Sequence, residues 1–203
     1  MVKSVRRFYD CPIVQMSDSK TPEIEGVDEV RRIPFKLPLM LYRLKHLYSF
    51  PHEEMLILDT DVIAKRRMPD IWGIDFDIGL TRREQGKLYE GDGADIGEDM
   101  PYNTGVMFSR SQQFWEDCFN WLVPRKELHQ WYGDQRAVAE VVKRGNYTFA
   151  EFKCSDFNWA PSHAGDTSDA FFWHYKGAVR KKWISTSVST PERQPLITFS
   201  ANR

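Results

Sequence analysis

The chain of 203 residues carries 28 Lys and Arg against 29 Asp and Glu, with 41% hydrophobic and 14% aromatic residues. Those figures suit one globular domain with a substantial core, and the near-zero net charge excludes any global pull toward nucleic acid or an anionic membrane. The three cysteines, Cys11, Cys118 and Cys154, form no CxxC pair and leave one unpaired in any disulfide scheme, so a reduced, cytoplasmic setting is expected.

There is no run of about 18 apolar residues and no secretory h-region, so neither a membrane span nor export is expected, and membrane attachment has no support. Met1 to Arg7 reads as the end of a short helix and Cys11 to Met16 as a strand. A strand-helix-strand unit needs a strand before that helix, and no residues remain to form it, so the fold is expected to lack its front strand. Ser17 to Pro34, rich in Ser, Asp, Pro, Glu and Gly, reads as a long surface loop. From about Pro38 a helix follows. Leu37, Met40, Leu41, Leu44, Leu47 and Tyr48 recur at three and four, Arg43 and Lys45 lie off that stripe, and Phe50-Pro51 ends it.

The chain is organised around Met55 to Asp61, Met-Leu-Ile-Leu-Asp-Thr-Asp. Four apolar residues read as the end of a buried strand, with Asp59 and Asp61 where it emerges. Side chains two apart on extended backbone point to one side, which aims both carboxylates at one spot. Two such groups repel unless something positive lies between them, and their oxygens suit Mg²⁺ or Mn²⁺. Taken alone, the tripeptide is equally a cap, a turn or a surface pair.

Lys65-Arg66-Arg67 reads as a solvated turn, with contact to phosphate or acceptor as the alternative, and Phe76 to Thr81 as a short strand. Glu84 to Asp99 is a Gly- and acid-rich loop of lid length. Pro101 to Phe108 enters a buried strand in which Gly105 permits close approach of backbone or ligand. Ser111 caps a helix whose apolar side holds Phe114, Trp115, Cys118, Phe119, Trp121 and Leu122; Gly133-Asp134 opens the next, with Asp134 as its cap. Tyr147 to Phe152 is a strand, and Ala170 to Trp173 is a last apolar run that delivers His174. Trp72, Trp131 and Trp159 are read as core residues rather than a glycan platform. Residues 1–183 form one mixed α/β domain and 184–203 a loose tail.

Several segments together resemble the nucleotide-sugar glycosyltransferases of the A-type fold, most closely the family 8 group that includes glycogenin-like and lipopolysaccharide galactosyltransferase-like enzymes. They are Tyr42-Arg43-Leu44, Leu56 to Asp61, Tyr102 to Val106, Gly133-Asp134-Gln135, Phe157-Asn158-Trp159, and His174-Tyr175-Lys176-Gly177 through Trp183. The resemblance implies an α/β fold with a single mixed, mostly parallel sheet flanked by helices. It implies transfer of a hexosyl unit from a nucleotide-diphosphate sugar, expected to be a UDP-sugar, to a hydroxyl of a glycan, protein or small-molecule acceptor, with retention of configuration. Asp59, Asp61 and His174 would then hold Mn²⁺ (or Mg²⁺) against the diphosphate.

By the same resemblance Arg43 and Asn103 lie by the donor sugar, Asp134 and Gln135 line the reacting face, and Gly105 stands in the donor site. Gly177 lets the backbone pass the diphosphate, and Arg180 or Lys181 neutralises it, since Arg180 holds the family's lysine position and Trp183 comes one residue late. Two alternatives stand beside this reading. One is a haloacid dehalogenase-type phosphatase, with Asp59 as nucleophile; the other is a non-catalytic nucleotide-sugar-binding relative.

Overall fold

The computed structural model describes residues 1–83, 97–129 and 132–184. The elements run α1 (Val2–Val5), β1 (Val14–Ser17), β2 (Glu29–Arg32), α2 (Leu39–Ser49), β3 (Met55–Leu58), β4 (Val62–Ala64), β5 (Ile78–Arg82) and β6 (Tyr102–Ser109). There follow α3 (Gln112–Leu122), a short 3₁₀ turn at Lys126–Leu128, α4 (Gly133–Lys143), β7 (Phe149–Lys153), α5 (Cys154–Phe157), β8 (Phe172–His174) and α6 (Ala178–Lys181). The expected lid loop, but for residues 97–99, lies outside the described residues, as do Trp131 and the tail beyond Ile184.

The central sheet has the order β3-β6-β5-β7, and its two faces take alternate residues of β6. Met107 packs with Ile78 and Leu80 under α2, α3 and α4, where Leu44, Phe114, Trp115, Leu122 and Val138 fill the space. Val106 and Phe108 face the other way, into a layer with Phe76, Phe152, Phe157 and Phe172. Helices against a parallel-containing sheet are as expected. The α3 cap is too: Ser111 accepts from the Phe114 amide.

The pairing differs in detail from a single, mostly parallel sheet. β5 with β7 and β1 with β2 are parallel, whereas β3 with β6, β5 with β6, and β4 with β8 are antiparallel, the five ladders making three separate sheets among the described residues. The reason is β6, eight buried residues long, which runs between β3 and β5 and opposes both. A polar strand, β2, also lies inside the expected surface loop. Its Glu29-Val30-Arg31-Arg32 is mostly exposed and carries no apolar alternation, so only its ladder with β1 reveals it.

Two irregularities shape the functional end. The β5–β6 register jumps between Leu80, opposite Met107, and Thr81, opposite Asn103, a bulge that sets Thr104 and Gly105 out of the regular ladder. β3 stops at Leu58, and Asp59-Thr60-Asp61 is a turn closed by the Val62 amide on the Asp59 carbonyl (3.0 Å), not the expected extended run. The carboxylates converge because the chain turns there into β4, which pairs with β8 and sets His174 opposite Val62.

Candidate metal centre

β8 carries His174 beside the turn, and the Tyr175 amide donates to the Asp61 carbonyl at 2.9 Å. The imidazole Nε2 lies 3.2 Å from Asp61 Oδ1 and 3.7 Å from Asp59 Oδ2. One ligand atom from each residue falls within 4.8 Å of the others, close enough for one ion. Among the described residues this is the one such group of three or more His, Cys, Asp or Glu.

The imidazole is oriented from behind. Its Nδ1 stands 3.0 Å from Asn158 Oδ1, which only accepts, so Nδ1 carries a proton and Nε2 faces the carboxylates, able to donate to Asp61 or to give its lone pair to an ion held between them. The Asn158 amide is fixed in turn, since its Nδ2 donates to Thr81 Oγ1 (2.7 Å) and to the Asn103 carbonyl (3.2 Å). Gly105 is the floor under the ring: a Cβ built there would stand 2.1 Å from the imidazole Cε1. The close approach expected at Gly105 is therefore made by the His174 side chain. This donor set fits Mn²⁺ or Mg²⁺, with two hard carboxylate oxygens and one borderline imidazole.

Arg43 crosses from α2 to the same spot. Its guanidinium donates to Asp59 Oδ1 (2.9 Å), Asp134 Oδ2 (2.7 Å), Thr104 Oγ1 (3.0 Å) and the Thr104 carbonyl (2.6 Å). Burial would lower its pKa, but the Asp59 and Asp134 carboxylates outweigh that and raise it. Asp134 is thus a buried ion-pair partner and not the helix cap the bare sequence suggests; Tyr132, in the left-handed region, precedes α4 as its cap residue. Asp134 Oδ1 is buried and has no partner among the described residues. Burial would also raise Asp61, yet hydrogen bonds and charge from His174 and Lys181 hold it at about 2, so it is ionised at any ordinary pH.

The two candidate phosphate cations part ways. Lys181 Nζ is 3.1 Å from Asp61 Oδ2, at the centre itself. Arg180 turns aside, its Nε donating to the Pro161 carbonyl at 2.7 Å. Gly177 has φ +83 and ψ 157, a conformation that excludes side chains through strain, since a Cβ there would meet nothing within 4 Å. The Asn103 side chain accepts from the Gly105 amide (3.0 Å), so it shapes the bulge. Gln135 accepts from Arg83.

Lys65 and Arg66, expected in a solvated turn, lie over Trp173 and Phe171, with Arg66 Nε donating to the Asp169 carbonyl. Trp72 packs on Phe76 and Phe108, in keeping with a core role. Sequence reasoning gave no role to Asn158, Arg83 or Lys176. Asn158 was visible as part of Phe157-Asn158-Trp159 and Lys176 as part of His174-Tyr175-Lys176-Gly177; Arg83 carried no signal of its own.

No protein-family model matches the chain, and no curated protein matches it. Solved structures do. A glycosyltransferase involved in glycosylation of the major capsid of PBCV-1 superposes with a TM-score of 0.60 at 17% identity, covering 89% of this chain and 100% of that one. The glycosyltransferase GlyE of Streptococcus pneumoniae TIGR4 superposes at 0.58 with 14% identity over 93% of this chain, which spans 56% of GlyE. Its apo form gives the same figures. The chain thus has a fold found in glycosyltransferases.

Proposed function

We propose that the chain is a metal-dependent glycosyltransferase that moves a hexosyl unit from a nucleotide-diphosphate sugar, in the first instance a UDP-sugar, to an acceptor hydroxyl with retention. The observation that carries this reading is the convergence of Asp59, Asp61 and His174 on one point, with the imidazole Nε2 aimed inward by the contact of Nδ1 with Asn158. The glycosyltransferases among its fold neighbours, and the family 8 resemblance of the same segments, set the reaction class.

A bound Mn²⁺ or Mg²⁺ supplies positive charge to the departing diphosphate, which lowers the barrier to leaving. Asp59, Asp61 and His174 would hold that ion. Lys181, 3.1 Å from Asp61, would add a second positive charge at the phosphate side. Arg43 fixes Asp59 and Asp134 relative to each other, and the open Asp134 Oδ1 accepts from a donor-sugar hydroxyl. Gln135, one residue on, lines the reacting face, and Asn103 keeps the bulge that brings Gly105 under the ring.

Residues 1–183 form the working domain on this reading. None of the three cysteines is in a disulfide, in keeping with a cytoplasmic enzyme, and among the described residues no helix is long and apolar enough to cross a membrane. A phosphatase reading fits less well, because Asp59, its nucleophile, is held by Arg43. The test is Mn²⁺-dependent hydrolysis of a panel of UDP-sugars by the full chain beside Asp61→Ala. Slow transfer to water, lost in the variant and with EDTA, is the expected result. A folded chain that hydrolyses no donor would instead be a binding relative, and phosphate release from simple esters would favour the phosphatase.

A further inference from the structure

Among the described residues β1 pairs only with β2, and β3, the strand that leads into Asp59, pairs only with β6. The two ladders nevertheless share the same two layers. Met16 of β1 packs against the same cluster under α2 as Met55 and Ile57, and Ile13, just before β1, against the same cluster as Leu56 and Leu58. Two helices bridge the ladders, one from either face. On α2, Tyr42 Oη donates to the Ile33 carbonyl past β2 (3.1 Å), while Arg43 donates to Asp59 past β3. On α1, Ser4 Oγ accepts from the Ala64 amide of β4 (3.0 Å), and the next turn of chain carries Arg6, which donates to the Gly26 carbonyl and to Asp28 ahead of β2. The ends of β2 and β3 thus lie beside one turn of α2, which sets β1, β2 and β3 running in the same sense.

The Asp59 amide bonds the Gly105 carbonyl beside β6, so by the alternation of an antiparallel ladder Met55 and Ile57 bond β6 as well, and the amides and carbonyls of Leu56 and Leu58 point away from it. Both faces of β3 are covered, yet each of its residues is only half-buried, whereas β6, with a strand on either side, is buried throughout. Solvent therefore reaches β3 through its outer edge. A strand lying there, between the same two layers, has to be apolar on both faces, which reads as a short continuous run. Beyond Ile184 the sequence holds one such run, Leu196-Ile197-Thr198-Phe199, with Pro195 before it and Ser200-Ala201-Asn202 after it; residues 84–96 hold none. Trp183 and Ile184 pack with Ile63 of β4, just past β3 in the chain. From there residues 185–195 extend to roughly 35 Å, well over the length of a strand such as β3.

We propose that Leu196 to Phe199 adds to the fold as a parallel strand between β1 and β3, joining the two ladders into one sheet. The segment bonds the outward amides and carbonyls of Leu56 and Leu58 on one side and β1 on the other, a strand addition made within one chain. The tail then braces the strand that carries Asp59 instead of hanging loose. This goes beyond the glycosyltransferase reading and does not depend on it.

Residue-resolved amide exchange by NMR on the full chain tests it. Leu56 and Leu58 should be protected as well as Met55 and Ile57, whose amides are held by β6. Ile197→Pro removes an amide and cannot sit inside a sheet, so it should speed exchange at Leu56 and Leu58 about tenfold or more and leave Met55 and Ile57 unchanged. Val188→Pro, in the connection, should alter neither pair. Nuclear Overhauser contacts between the Leu196–Phe199 and Leu56–Leu58 backbones in the native chain give the same answer without any substitution. Fast exchange at Leu56 and Leu58 in the native chain, or the lack of those contacts, overturns the proposal. Protection that survives Ile197→Pro overturns it too, and if that protection grows with protein concentration the edge belongs to a second copy of the chain.

Discussion

Arg43 and Arg83 bond consecutive residues at the start of α4, Asp134 and Gln135, yet among the described residues one meets charged acceptors and the other neutral ones. Arg43 has two carboxylates and two oxygens of Thr104, so its charge is consumed inside the protein and fixes Asp59 in place. Among the described residues Arg83 donates to a carbonyl and an amide oxygen, neutral acceptors that fix its position. Identical side chains are thus held by ion pairs in one case and by neutral oxygens in the other.

Removing each arginine is the strongest way to break that comparison. Arg43→Ala strips the buried Asp134 of its counter-ion and should cost about 3–5 kcal/mol, the range for breaking a buried pair from one side. In a chain of this size that lowers Tm by roughly 10 °C, read by calorimetry. Arg83→Ala leaves only neutral oxygens behind and should cost about 1 kcal/mol. Similar losses for the two would erase the distinction.

Next in size is the ring that Arg43's side of the site depends on. Gly105→Ala places a methyl where the His174 imidazole sits, so the ring must move, and misplacement of about 1 Å costs on the order of a hundredfold in rate. Metal-dependent donor hydrolysis should fall by that factor with a well-folded protein; unaltered hydrolysis would show that His174 does not act at the metal.

Asn158→Ala removes the acceptor that fixes the imidazole tautomer and should weaken Mn²⁺ binding about 10–100-fold, measured by metal titration. Mn²⁺ should also raise Tm in the native chain, by about 2.7 kcal/mol of stabilisation at a hundred times its Kd, and by much less in Asp61→Asn.

The smallest effect is one of pH. Asp61 is held at about 2, below the ordinary value of 3.8, so its contribution to stability is complete above about pH 4 and is lost as pH falls through about 2. In EDTA, the gap in Tm between the native chain and Asp61→Asn should therefore narrow from pH 5 to pH 2. A gap that stays constant would mean that the Lys181 and His174 contacts do not hold the carboxylate down.

Much of the frame was readable along the chain. The 3.6-residue stripe of α2, the Ser111 cap, the apolar run before Asp59 and the one before His174 are local patterns, and each element stands where its pattern placed it. What failed was equally local in cause. β2 has no apolar alternation to betray it, and the Asp59 turn looks like continued strand because nothing in Asp-Thr-Asp forbids extension. Asp134 looks like a helix cap because an acid at a helix start ordinarily is one.

By itself the sequence determined the residue types of the metal centre and the segments that carry them, because ligand chemistry and apolar periodicity are properties of short stretches. Their partners were decided only in three dimensions: the β4–β8 ladder brings residue 174 to residue 61, the bulge opposite Leu80 and Thr81 makes room for the ring at Gly105, and Asn158 sets its tautomer. Whether an arginine meets charged or neutral oxygens depends on which distant strands and helices approach it, and no spacing along the chain encodes that.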